Sequence, residues 1–242
     1  MSLVGNQGER VPRVSWAQHR AYLYDNWEPG EHVSIIDPTG NGKSYLATRG
    51  LLPLWADYHK GVVLLDTKGD DETLIGVGHK VSGYPLWIER VKKRPPIFRV
   101  VVRTTLAGVS RTQQRLAIDD LLRKIYRSRG WVLVIDELKT LVKLNMTPQI
   151  EDLYERGRRR NPAKAITVIG LSQAPSWIPS CCYTQPRVVY LGSITDTRHR
   201  KRLGEIGGNS KALLTALGSL EDHEFVAVAE RGRRMEIIKV GR

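Results

Sequence analysis

The sequence predicts an α/β protein: a mostly parallel sheet flanked by helices, closed at its C-terminal end by a β-hairpin. Three observations carry that expectation. Wholly apolar runs of strand length alternate with stretches of helical periodicity, each run ends in a turn signal, and one run opens directly into a glycine-rich turn and a helix. Strands covered on both faces read as continuous apolar runs, and strands separated by helices are joined by crossovers that make neighbours parallel.

Residues 1–30 read as polar and irregular, with Trp16, Tyr22, Tyr24 and Trp27 as anchors onto a core. HVSIID (32–37) reads as the first strand. KSYLATRGLLPLW (43–55) reads as a helix with Tyr45, Leu46, Leu51 and Leu52 inward. GVVLLD (61–66) and FRVVVR (98–103) are the next strands, and 77–97 between them reads as a long loop, a feature more often functional than idle. In RTQQRLAIDDLLRKIYRS (111–128), Leu116, Leu121, Leu122 and Ile125 recur at helical spacing. WVLVID (131–136), AITVIGLS (165–172) and RVVYLGS (187–193) complete six apolar strands, with QIEDLYERGR (149–158) as a helix among them. The stretch 224–240 holds two alternating strands around ERGRR, which predicts the hairpin. One domain accounts for this pattern: an N-terminal extension over 1–30 on a core of 31–242.

Composition narrows the class. Lys and Arg number 38 against 25 for Asp and Glu, a formal charge of +13. Such an excess steers association with polyanions, nucleic acid first and an anionic membrane surface second, with solubility as the bland alternative. The two cysteines, Cys181 and Cys182, are adjacent, which excludes a disulfide scaffold and a zinc site and marks them as small buried hydrophobes. No run approaches the roughly 18 apolar residues that cross a bilayer, and the first residues lack the apolar core of a signal peptide. A cytoplasmic protein without membrane insertion is the expectation.

The chemistry concentrates at two strand ends. DPTGNGKS (37–44) follows a strand and opens a helix, the context that identifies a phosphate-binding loop. Asp37 stands where the pattern has glycine, followed by Pro38 and Thr39. Gly40 and Gly42 let backbone N–H groups turn inward around an anion, with Asn41 between them. The helix starting near Lys43 aims its positive end at phosphates. Lys43 is expected to reach the β- and γ-phosphates of ATP, Ser44 to ligate Mg²⁺, and Tyr45 to border the nucleotide. The apolar strand 131–135 ends in Asp136 and Glu137, and carboxylates there are costly unless they meet a cation. Asp136 fits the acid that holds Mg²⁺, partly through water, and Glu137 the base that orients the attacking water.

Two further elements carry open alternatives. Gln173, at the end of the 165–172 strand, either contacts the γ-phosphate or its attacking water, or caps the turn with Ala174 and Pro175. ERGRRRNP (155–162) is a solvated basic face, a DNA contact, or the source of an arginine that reaches a neighbouring subunit's nucleotide.

Taken together, PTGNGKS, LLDTKGD (64–70), VIDE (134–137) and RGRRRN…VIGLSQAPSWIP (156–179) resemble the FtsK/HerA-type family of DNA-translocating ATPases, over about residues 31–240. Asp66 and Lys68 fall on the family's Asp-x-Lys, and Gly157, Arg158 and Gln173 on its Gly-Arg and Gln-x-Pro elements. The resemblance implies a RecA-like core and a ring of five or six subunits with ATP and Mg²⁺ at their interfaces. It also implies Arg158 acting in trans, with Arg156 and Arg159 as alternates, and double-stranded DNA moving through the pore. The bare motor is most like the compact viral genome-packaging ATPases, which adds a virion portal or membrane vertex as a partner and places the protein in the host cytoplasm or the virion. A helicase or single-strand translocase of the same core, and a nucleotide-switched DNA-binding module, are the competing expectations.

Overall fold

One sheet organises the chain. The computed structural model describes residues 10–55, 61–67, 79–81, 98–103, 109–157, 164–206 and 208–240, with backbone alone at 79–81, 98–103 and 205. Its strands are β1 (Arg13–Val14), β2 (Val33–Ile36), β3 (Gly61–Asp66), β4 (His79–Val81), β5 (Phe98–Arg103), β6 (Trp131–Ile135), β7 (Thr167–Ser172), β8 (Val188–Leu191), β9 (Glu224–Ala229) and β10 (Arg234–Lys239). Among the described residues they form a ten-stranded sheet in the order β1-β10-β9-β8-β2-β7-β6-β3-β5-β4. From β8 to β4 every pairing is parallel, and β9 alone runs against its neighbours. The C-terminal hairpin therefore continues the main sheet rather than standing apart from it.

The apolar strands feed two cores. In β2 and β6, Val33, Ile35, Val132 and Val134 point to one face, while Ile36, Leu133 and Ile135 point to the other. The first face is covered by α1 (Trp16–Asn26) and by a continuous helix of α2 (Lys43–Tyr45), a wider π-helical stretch over Leu46–Leu51, and α3 (Leu52–Trp55). The second is covered by α4 (Arg111–Ser128), α5 (Leu138–Lys143), α6 (Thr147–Arg156), α7 (Cys181–Thr184), α8 (Thr197–Leu203) and α9 (Ser210–Gly218). Cys181 and Cys182 are free and buried in that second core. Among the described residues no helix is long and apolar enough to cross a membrane.

Four expectations need correction. Residues 16–26 are a helix, not irregular chain: Ser15 and Gln18 form a reciprocal capping box that starts α1. That helix buries Leu23 and His19, and His19 bonds the Glu236 carboxylate and the Tyr190 hydroxyl (2.7 Å to the latter). Trp27 stacks on Trp55 with ring centroids 4.7 Å apart, whereas Tyr24 is 54% exposed and anchors nothing. Leu116 is 63% exposed; the buried stripe of α4 is Ile118, Leu121, Leu122 and Ile125, whose i, i+3, i+4, i+7 spacing leaves Leu116 off the face. Within 77–97, residues His79–Val81 form an edge strand on β5, and the rest lies outside the described residues, as does Lys68.

Candidate functional site

The strand order assembles the site. β7 lies between β2 and β6, and β3 flanks β6, so the carboxyl ends of four adjacent parallel strands carry Asp37, Gln173, Asp136–Glu137 and Asp66–Thr67 along one edge. Backbone bonds extend the ladder into these ends: the Asp37 N–H donates to the Ser172 carbonyl (3.0 Å), and the Asp136 N–H to the Leu65 carbonyl (3.2 Å). Gln173, half-buried, thus sits between the glycine-rich loop and the paired acids.

The loop 37–44 is braced from inside. Gly40 and Gly42 take φ of 94° and 98°, left-handed values that a side chain resists. Lys43 is buried, and its ammonium donates to the Pro38 carbonyl at 2.6 Å, closing the loop end to end. The Asn41 amide donates to Asp37 Oδ1 at 3.1 Å, a second brace. Pro38, Thr39 and Gly40 are exposed, so the crown of the loop is open to a ligand. Ser44 and Tyr45, half-buried, form the first turn of the helix that follows, where the Leu46 N–H donates to the Gly42 carbonyl (2.9 Å).

Asp37 is fully buried, and burial pushes its carboxyl up to about 6 against the pull of Asn41, Lys43, the Ser193 backbone and His223. It occupies space that another residue leaves open: a Cβ on Gly192, just past β8, would overlap the Asp37 carboxyl group. The departure from the usual first glycine is therefore accommodated by a glycine just beyond the neighbouring strand.

Asp136 and Glu137 are both buried. One Asp136 oxygen accepts the Thr67 N–H (2.9 Å) and the Thr67 hydroxyl (2.6 Å), both from the end of β3. Glu137 caps α5, its carboxylate accepting the Lys139 N–H at 3.4 Å. The turn is pressed onto the sheet at Gly170 of β7, where a Cβ would come 2.8 Å from Leu138 Cδ1. Lys139 lays its ammonium 2.9 Å from the centre of the Trp177 ring, on the segment that follows Gln173. Trp177 meets the His199 ring edge-on at 5.8 Å, and Ser176 bonds His199 Nδ1 at 2.9 Å, so the start of α8 touches the same segment.

Of the arginines, Arg156 ends α6 with its side chain exposed and paired to Asp152 at 3.1 Å. Arg158 and Arg159 lie outside the described residues. Gly157 has a packing reason: a Cβ there would strike the Leu153 carbonyl and come 2.9 Å from the His32 ring. Its carbonyl accepts the Ile166 N–H (3.1 Å), tying the end of α6 to the start of β7.

Magnesium suits the donors present, a serine hydroxyl and a carboxylate, both hard oxygen ligands. Among the described residues no group of three or more His, Cys, Asp or Glu side chains could hold a metal alone. Sequence reasoning passed over Thr67, Gly192, Lys139, Trp177 and His223. Only Thr67 carried a signal, being placed between Asp66 and Lys68.

No protein-family model matches the chain, and no curated protein sequence does. Solved structures do. The DNA-packaging ATPase B204 of Sulfolobus turreted icosahedral virus superposes with a TM-score of 0.66 at 16% identity, over 89% of this chain and 100% of that one. The genome-packaging NTPase B204 of Sulfolobus turreted icosahedral virus 2, in complex with sulfate, gives 0.65 at 15% identity over 89% and 99%. The conjugation coupling protein TcpA of pCW3, in its monomer form with ATPγS, gives 0.51 at 18% identity over 89% of this chain and 60% of that one. The chain therefore shares the fold of these genome-packaging ATPases.

Proposed function

We propose that this chain is an ATP-driven motor that moves double-stranded DNA through a ring of its own copies, five or six in number. The observation that carries the reading is the shared edge: a braced phosphate loop, a central Gln173 and the Asp136–Glu137 pair on the ends of adjacent parallel strands. In this reading the amides of Gly40–Lys43 and the Lys43 ammonium bind the phosphates, and Ser44 and Asp136 hold the metal. Bound Mg²⁺ would offset charge on the β- and γ-phosphates. Glu137 orients and deprotonates the attacking water, and Gln173 contacts the γ-phosphate from the middle strand. Arg158 completes the neighbouring subunit's site, with Arg156 and Arg159 as alternates, a contribution typically worth about 10³–10⁵ in rate.

DNA is supported by charge. The chain carries +13 overall, and α8 brings Arg198, His199, Arg200, Lys201 and Arg202 together in five consecutive positions. Among the described residues, Arg198, Arg200 and Lys201 enter no ion pair with a carboxylate. Because α8 and α5 both touch the segment after Gln173, a change at the γ-phosphate has a packed route to a basic surface.

The test is ATP hydrolysis with blunt duplex and with single-stranded DNA. Duplex stimulation is expected, along with an affinity that falls steeply with salt as phosphate counterions are released. Stimulation by single strands alone would replace the pump with the helicase reading. Lys43→Ala should lose both binding and turnover, whereas Glu137→Gln should keep ATP bound and uncleaved. Near-normal turnover in Glu137→Gln would remove that residue from the mechanism.

A further inference from the structure

His223 stands outside every motif considered so far, yet it touches the phosphate loop. It immediately precedes β9, whose antiparallel course brings that end of the strand to the edge where the loop lies. Its Nδ1 is 3.4 Å from the Asn41 carbonyl oxygen, and a Cβ on Gly42 would meet the same nitrogen at 3.4 Å. A carbonyl oxygen only accepts, so Nδ1 carries the proton in this contact. The residue is held in the left-handed region, with φ of 64°, a conformation that side chains resist and that recurs where function demands it.

The peptide joining Asn41 to Gly42 explains what the contact does. In a trans peptide the C=O and the following N–H point in opposite directions. Drawing the Asn41 carbonyl toward His223 therefore turns the Gly42 N–H the other way. Inward N–H groups are what a glycine-rich loop offers to an anion, and their aim sets how well they bind.

We propose that His223 is a positioning residue of the nucleotide site, fixing the Asn41–Gly42 peptide so that the Gly42 N–H faces the phosphates of a nucleoside di- or triphosphate. The proposal rests on reading 37–44 as a phosphate loop. It acts on phosphate and not on the base, so its effect is the same for every nucleobase. It also separates two properties that a purely structural residue would join, since glycine at 223 relieves the backbone while deleting the contact.

The experiment measures ADP and GDP affinity together with thermal midpoint in wild type, His223→Gly and His223→Asn. Asn places an amide N–H at the position of Nδ1 and tolerates the same backbone angle. Expected are unchanged or higher midpoints in His223→Gly with affinity about tenfold weaker for both nucleotides, the scale of one hydrogen bond that aims a charge-binding group. His223→Asn should recover most of that affinity. Wild-type affinity in His223→Gly overturns the proposal, as does a loss confined to one nucleobase, which would mean contact with the base. A lowered midpoint in His223→Gly with no recovery in His223→Asn also overturns it, by making the residue structural. Wild type that binds neither nucleotide sinks the phosphate-loop reading itself, a result distinct from the others.

Discussion

Asp37 and Asp136 end parallel strands two places apart in one sheet, and both are buried, yet they are held in opposite ways. Asp136 takes two donors from Thr67 on the adjacent strand, so one oxygen is fixed by a neighbouring element and not by its own loop. Asp37 is tied to Asn41 within its own loop and fits a hollow left by Gly192, and burial outweighs its partners to raise its carboxyl to about 6. The same residue type at the same burial thus has two chemistries. One carboxylate is presented rigidly, as the metal binding proposed for it requires. The other keeps its proton up to about pH 6, which would reduce its conflict with the phosphates proposed to bind beside it.

Substitutions can break this contrast at either end. The largest effect is expected from Asp136→Asn, which should lower ATP turnover by about a thousandfold, the scale of several kcal/mol of metal-assisted charge stabilisation. Turnover within tenfold of wild type would remove Asp136 from the metal site. Next is Gly192→Ala, which forces a methyl into the Asp37 carboxyl and should cost about 1–3 kcal/mol in denaturant unfolding. Asp37→Gly in the same chain should restore most of that loss; strict additivity would show that the two residues do not share the space. Thr67→Val keeps the backbone donor and deletes the hydroxyl, so the Mg²⁺ needed for half-maximal hydrolysis should rise about tenfold, as for other outer supports of metal ligands.

The smallest effect is a slope. A carboxyl whose folded value is raised from 3.8 to about 6 holds its proton more tightly in the native state, so its contribution to stability falls as pH climbs from about 4 to 6. Asp37→Asn cannot titrate. Its stability relative to wild type should therefore rise across that window and level off above it. Carboxylates held below their ordinary range, Asp196, Glu224 and Glu236, titrate in both proteins and cancel in the difference. A flat difference from pH 4 to 7 would mean that Asp37 keeps its ordinary carboxyl value in the folded protein.

The strands 33–36, 61–66, 131–135, 167–172 and 188–191 were legible because burial on both faces leaves them predominantly apolar. The loop 37–44 and the acids 136–137 were legible because their chemistry is local in sequence. Strand order was not: nothing in AITVIGLS says that it inserts between β2 and β6, and that insertion is what brings Gln173 between loop and acids. Helix α1 was missed because it buries a histidine against Glu236 and Tyr190 instead of an apolar stripe, although Ser15 and Gln18 spell its cap. Gly192 and His223 were invisible for a different reason. Their importance lies in the space and the carbonyl they meet on a loop far away in sequence.

The central place of β2 also governs how the protein comes into being. Its partners, β7 and β8, are made long after it: His32, beside β2, bonds the Val168 amide 136 residues further on. On the ribosome, β2 must wait with its edges unpaired until β7 and β8 have been made. Contacts of such long range make folding slow and leave apolar strands open to wrong pairing. If the proposed nucleotide site is right, its ligand would bind only after β7 and β8 have closed on β2, so it would act as a latch on that closure and not as a template for it.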